Sequence, residues 1–245
     1  MRIFTDTELP QKTRRWFEMR RGRVCSSDVA DFVDSDGCLK RGRSTTQPIG
    51  QAVRTYVAKL VAERVTGHMD ISDFASQAMQ YGAEHEAAAR AALSLATDLD
   101  FEPVGGFLSG CGRWWSSSDG AAFYGDTEAV VAVAETKIPL PKTQVAYLLD
   151  EQKLIDDYKP QLCHEILVSG AACGYLFSYG AGFQCRRANV LVTINGDDPF
   201  IANLRASLET IDGMVNEAMD RIGGSGGLAD PPQTAEAWFE EVFGT

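Results

Sequence analysis

Alternation and helical spacing divide this chain into readable segments. In Glu128–Ile138, Val131, Val133, Glu135 and Lys137 share one face of a strand, and Val130, Ala132, Ala134 and Thr136 share the other. Trp114 to Pro139 as a whole is predicted to be a β-hairpin. Apolar positions at helical spacing (Val53, Tyr56, Val57, Leu60, Val61, Val65) predict a helix over Gln51–Thr66, with Gly67 past its end. An alanine-rich stretch, Ser72–Leu95, predicts a second long helix, and Phe101–Leu108 a strand.

Helix signals recur on both sides of this centre. Thr13 is a candidate N-cap for a short helix to Arg21, and Ser26-Ser27-Asp28 for another through Val33. Residues 34–50 are rich in Gly, Ser, Lys and Arg and are expected to form a mobile loop. Tyr158-Lys159-Pro160-Gln161 opens a helix running to about Ala171, with Pro160 near its first turn. Gly174–Tyr179 and Arg187–Asn195 are expected strands. Asp198-Pro199 starts an amphipathic helix to Ile222, with Ile201, Leu204, Leu208, Ile211, Val215 and Met219 as its apolar stripe. The fold class expected is α/β: a mixed central sheet flanked by helices. Residues 1–222 are expected as one domain. Residues 223–245 are expected as a Gly-rich linker and an acidic tail whose Trp238, Phe239, Val242 and Phe243 could dock a partner.

Composition narrows the function classes. The 245 residues suit one domain with an appendage, and no run of eighteen apolar residues suggests a membrane span. The start lacks an apolar core of signal-peptide type, and six scattered cysteines without a C-x-x-C pair fit reduced cytoplasmic thiols. The net charge of −11 argues against a nonspecific DNA coat. Residues 1–64, however, carry thirteen Lys and Arg against eight Asp and Glu. Such asymmetry fits a basic DNA entry surface on an acidic body.

The hairpin carries the candidate chemistry. On one face of its second strand, two valines run into Glu135 and Lys137. Asp119, before Gly120 at the end of the partner strand, is close enough to reach the same spot. Buried charges of this kind need a partner or a metal. Hard oxygen ligands hold Mg²⁺, and a cation can orient or activate an attacking water, as metal-assisted phosphodiester cleavage requires.

Asp119 followed by Glu135-Thr136-Lys137 resembles the Asp…Glu-x-Lys core of the PD-(D/E)XK nucleases. Ser117-Ser118-Asp119-Gly120 is similar to the S-P-D-G of the phage lambda-type exonucleases, the YqaJ-like viral recombinases. Ser118 stands where that family often has Pro, and the gap to Glu135 is longer than usual. W-F-E-M-R-R-G-R-V-C-S-S-D-V resembles the family's N-terminal motif, which implies that Arg20 and Ser27 hold a DNA phosphate, the 5′ end. Q-Y-G-A-E-H-E-A-A-A-R resembles its helix motif, which makes Glu86 an active-site carboxylate with Glu84 as competitor. Y-x-x-Q before an apolar helix implies that Gln161 contacts the metal-bound water or the scissile region.

The resemblance spans roughly Trp16 to Gly223. It implies a Mg²⁺-dependent (or Mn²⁺-dependent) 5′–3′ exonuclease on double-stranded DNA ends that leaves a 3′ single strand. Asp119, Glu135 and the Thr136 carbonyl would bind metal, Glu86 would assist, and Lys137 would position water. It also implies a ring-shaped homotrimer and a single-strand annealing protein as partner. An endonuclease on the same core, or a non-catalytic DNA-end-binding protein, remain the alternatives.

Overall fold

The computed structural model describes residues 1–44, 46–69, 77–125 and 127–230, with the side chains of 77–80 excluded. The aromatic tail residues from Trp238 to Phe243 therefore lie outside the described residues.

Ten strands and seven helices make up the described chain. Strands β1 (Arg2–Thr5), β2 (Val24–Cys25), β5 (Val104–Leu108) and β6 (Trp114–Ser116) form one four-stranded sheet in the order β1-β5-β6-β2. Strands β7 (Gly120–Phe123), β8 (Val130–Lys137), β9 (Cys173–Ser178) and β10 (Val190–Asn195) form a second, ordered β10-β9-β8-β7. Both are mixed: β2 runs parallel to β6, and β8 parallel to β9. Reciprocal 2.9 Å backbone bonds between Glu102 and Ala121 link them. The mixed sheet flanked by helices is thus present, but split in two. The long hairpin is correspondingly shorter. Trp114–Ser116 pairs in the first sheet, and only β7 and β8 form the hairpin. Ser117–Asp119 is the crossing between sheets.

Residues 34–50 are not merely a loop: β3 (Arg41–Ser44) and β4 (Gln47–Ile49) pair within them. The Lys40 ammonium donates to the carbonyls of Ala30 and Asp31, closing the end of a single-turn helix, α2 (Val29–Phe32). Helix α1 (Arg14–Arg20) is capped as expected, Thr13 Oγ1 accepting from Trp16 N at 3.3 Å.

Helices α3 (Gln51–Thr66) and α4 (Gln77–Thr97) follow, and α5 (Pro141–Leu149) leads into α6 (Glu151–Ser169). The start of α6 lies seven residues before Tyr158, because Asp150 caps it by accepting from Gln152 N at 3.1 Å. Pro160 sits inside the helix, where it removes one donor without ending it. Gly170, at φ +68, terminates it.

Helix α6 is the central packing element. It lies on β8 and β9 and also touches α2, α5, α7 and the first sheet. Leu154, Leu162 and Ile166 are buried in its interface, each stabilising by about 1.5–3 kcal/mol relative to exposure. Gly174 on β9 permits the close approach, since a Cβ there would sit 2.7 Å from Leu162 Cδ1. Helix α7 (Pro199–Ile222) buries its predicted stripe in the same core.

The Gly-rich stretch expected to be a flexible linker is packed over its described part. Arg23 Nη2 donates to Ala229 O at 2.6 Å, and a Cβ at Gly226 would lie 1.8 Å from the Arg64 carbonyl. Among the described residues no helix is long and apolar enough to cross a membrane, and all six cysteines are free thiols.

Candidate active site

The sheet crossing places Asp119. Ser118, 1% exposed, has Oγ 2.8 Å from the carbonyls of Gly120 and Ala134, and accepts from Ala134 N at 3.2 Å. Its hydroxyl thereby bridges β7 and β8. Asp119 N donates to Ala134 O at 3.1 Å, and Asp119 Oδ2 accepts from Thr136 N at 2.7 Å. The Asp119 carboxylate is thus fixed beside the backbone between Glu135 and Lys137.

Helix α4 adds the next carboxylate. Arg90 Nε donates to the Asp119 carbonyl at 3.1 Å, and its Nη2 to Glu86 Oε1 at 2.9 Å. One guanidinium therefore docks the helix on the crossing and orients Glu86. A cavity of about 510 Å³ is lined by Lys12, Glu86, Asp119, Thr136, Lys137 and Tyr158, among others. Glu84 is exposed on another face and does not line it, whereas Glu86 does. His85 is a packing residue: its Nδ1 lies 2.9 Å from Tyr81 O, and its ring packs on Tyr81.

Glu135 is 3% exposed and paired with the Lys137 ammonium, which also lies 4.5 Å from the centre of the Tyr158 ring. Burial opposes the charge on Lys137, but Glu135 and Asp119 outweigh it and raise the ammonium above its ordinary value. Burial, and then Glu135, push Asp119 up to about 7, against the pull of Lys137 and the Thr136 N–H.

Glu165 is a member of this cluster that sequence reasoning missed. It is 0% exposed on α6, and Gln161 Nε2 donates to its Oε1 at 3.3 Å. Burial, then the adjacent Glu135 carboxylate and a hydrogen bond with it, push Glu165 well above the usual carboxylate range. Its Oε2 has no partner among the described residues. The signal was its i+4 spacing from Gln161, which puts both on one helix face. Gln161 itself does not line the cavity; it reaches the site by way of Glu165.

Could this donor set hold a divalent cation? Among the described residues, no three His, Cys, Asp or Glu side chains form a closed metal cluster as they stand, Glu135 being paired with Lys137. Yet Asp119, Glu135 and Glu165 oppose a single ammonium, and one buried carboxylate oxygen is unpartnered. Hard oxygen donors crowded so closely that they resist ionising together fit Mg²⁺ or Mn²⁺, whose charge would relieve that repulsion.

Arg20 and Ser27 are also brought together. Arg20 Nη2 donates to Ser27 Oγ at 2.9 Å, and the guanidinium lies 4.4 Å over the Trp16 ring. Asp28 shares the spot, accepting from Ser27 Oγ, Tyr56 OH and Lys59 Nζ. Ser27 is not a helix cap, however. It lies in a 3-10 turn, Ser26–Asp28, leading into the four-residue α2, and makes no capping bond. The donors gathered here are Arg20, Ser27 and Lys59, not a helix N-terminus.

The two sheets, the helices across them and a carboxylate cavity at the end of the central strand define an α/β nuclease-like architecture. The chain belongs to the YqaJ-like viral recombinase domain family, whose model matches residues 15–172. That span holds Arg20, Ser27, Glu86, Asp119, Glu135, Thr136, Lys137, Gln161 and Glu165. An alkaline exonuclease from Laribacter hongkongensis has the same fold, with TM-score 0.69 and 23% identity over 86% of this chain and 96% of that one. The same enzyme in complex with dAMP gives TM-score 0.67 and 24% identity over 86% and 96%. A phage related exonuclease from Haemophilus somnus 129PT gives TM-score 0.61 and 10% identity over 83% and 98%. At these identities the likeness is one of fold. No curated protein matches the sequence.

Proposed function

We propose that this protein is a metal-dependent exonuclease that degrades one strand of linear double-stranded DNA from 5′ to 3′, leaving a 3′ overhang for recombination. The observation that carries this reading is the Asp119–Thr136 bond, which sets Asp119 against the Glu135–Lys137 strand end in a cavity shared with Glu86. Family membership and the fold neighbours, both exonucleases, support it.

Asp119, Glu135 and the Thr136 carbonyl are the proposed metal-holding groups. When bound, Mg²⁺ (or Mn²⁺ in its place) supplies Lewis-acid stabilisation of charge on the phosphoryl and leaving oxygens. Lys137 stays protonated and donates to the attacking water or a phosphate oxygen. Tyr158 walls its other side and limits its motion. Glu86, held by Arg90, accepts from water at the cavity mouth. Glu165 and Gln161 fix Glu135 from behind, and Arg20 with Ser27 grips the terminal phosphate. A homotrimeric ring enclosing the duplex, working with a single-strand annealing protein, would account for processive action.

Linear duplexes with and without a 5′ phosphate, and covalently closed circles, incubated with Mg²⁺, Mn²⁺ or a chelator, test the proposal. Mononucleotides released from 5′ ends only with metal are the expected result. Cutting of closed circles would make the protein an endonuclease, and end binding without products a non-catalytic one.

A further inference from the structure

Lys12 is one of two residues other than glycine, with Asp98, whose backbone is left-handed among the described residues, at φ +66. A side chain with a Cβ is disfavoured there, and glycine adopts it freely. The neighbours impose the conformation. Gln11 Nε2 donates to Val104 O at 2.8 Å and to Ser118 O at 3.1 Å. On the other side, Thr13 Oγ1 lies 2.8 Å from Pro10 O and caps α1. The strap 11–13 is therefore pinned to the residue preceding Asp119.

Its exposed middle residue lines the same cavity as Glu86, Asp119 and Lys137. The cavity's anions already have donors: Arg90 for Glu86, Lys137 for Glu135, and the Thr136 N–H for Asp119. Lys12 forms no ion pair or hydrogen bond among the described residues. Its charge is left for something that enters. Helix α1 then runs from Arg14 to Arg20, about 10 Å along its axis, and one nucleic-acid strand advances about 3.4 Å per nucleotide. One segment thus delivers a cation to the catalytic cavity and another, Arg20, a few nucleotides away.

We propose that Lys12 is a phosphate-binding residue of the catalytic cavity, its ammonium contacting the backbone of the strand being cut. This rests on the nuclease reading above. If the turn alone mattered, glycine would serve it better. Strain held by a surrounding structure that over-determines it marks a position with a second task.

The test compares wild type, Lys12→Gly and Lys12→Arg. Binding of a 5′-phosphorylated linear duplex is measured in Ca²⁺ across a salt series, cleavage is followed in Mg²⁺, and thermal denaturation is recorded. Lys12→Gly should melt at a higher temperature, because the strain is gone, yet bind DNA up to about fivefold more weakly. Its slope of log affinity against log salt should be shallower by about 0.9, one phosphate contact fewer. Lys12→Arg should keep the wild-type slope. Wild-type cleavage with unchanged affinity and slope in Lys12→Gly would overturn the assignment and leave the nuclease reading intact. A wild-type protein that neither binds nor cuts linear duplex would overturn both.

Discussion

The Thr136 N–H donates to Asp119 Oδ2 at 2.7 Å, across seventeen residues of chain. This bond makes two distant acidic positions one unit. Asp119 belongs to the crossing between sheets, and Thr136 stands between Glu135 and Lys137 on β8. A shift of β7 against β8 by one residue would turn Glu135 to the opposite face. The Ser118 hydroxyl, bonded to both strands, opposes that shift.

Asp119→Asn and Glu135→Gln should each reduce cleavage of linear duplex by more than about 100-fold, the upper end of losses for a merely supporting group. A neutral amide is a poor replacement for a hard anionic oxygen. Circular dichroism and DNA binding should remain near wild type. Cleavage at wild-type rates in either variant would move the site elsewhere.

Gln161 should act through Glu165. Gln161→Ala and Glu165→Ala are each expected to lower activity and Mg²⁺ affinity about 10–100-fold. The double variant should be little worse than the poorer single one, a large coupling in a double-mutant cycle. Additive losses would mean that Gln161 contacts substrate independently.

Arg20→Ala should erase a preference for 5′-phosphorylated over 5′-hydroxyl ends. A charge-assisted hydrogen bond contributes about 1.5–3 kcal/mol, so the wild-type preference can exceed tenfold. Competition between the two duplexes in one reaction measures it. Equal rates on both ends in the wild type would remove the terminal phosphate from this site.

His164 should make stability depend on pH. It is 0% exposed, and neither ring nitrogen has a partner among the described residues. Burial lowers it from 6.5 to about 3, with Asp28 opposing. The unfolded chain therefore takes up a proton that the folded chain refuses. Stability is unaffected above pH 6.5 and falls from there down to about 3, by at most about 1.4 kcal/mol per pH unit. Urea denaturation at pH 7, 5.5 and 4.5 should show a shallower decline in His164→Leu. Parallel curves for the two proteins would exclude His164 as the cause.

Much of this was legible in the chain. The alternation in Glu128–Ile138 located β8, and the carboxylate and ammonium ending one face of it pointed to the candidate site. The helical stripe beginning at Ile201 located α7. What stayed hidden depended on partners distant in sequence. Ser116 and Gly120 belong to different sheets, a fact that no local period expresses. Glu165 looked like any polar residue on a helix because its neighbour Glu135 is thirty residues away. Pro160 suggested a helix start, since only the Asp150 cap and the packing of α6 on β8 and β9 show that the helix carries through it. Ser27 seemed a cap because Ser-Ser-Asp usually is one; the nearby guanidinium of Arg20 gave its hydroxyl another use.

The turn joining β7 to β8 sits at the far end of the strand from the carboxylate cluster. Tyr124 there is 72% exposed, and Gly125 is left-handed at φ +55. From Val130 to Glu135 the strand covers about 17 Å. Extra length in the turn, the feature that sets this hairpin apart in sequence, is thus insulated from the cavity. The same geometry makes the turn a grafting point, where a fluorophore or affinity handle could be attached while the cavity stays undisturbed.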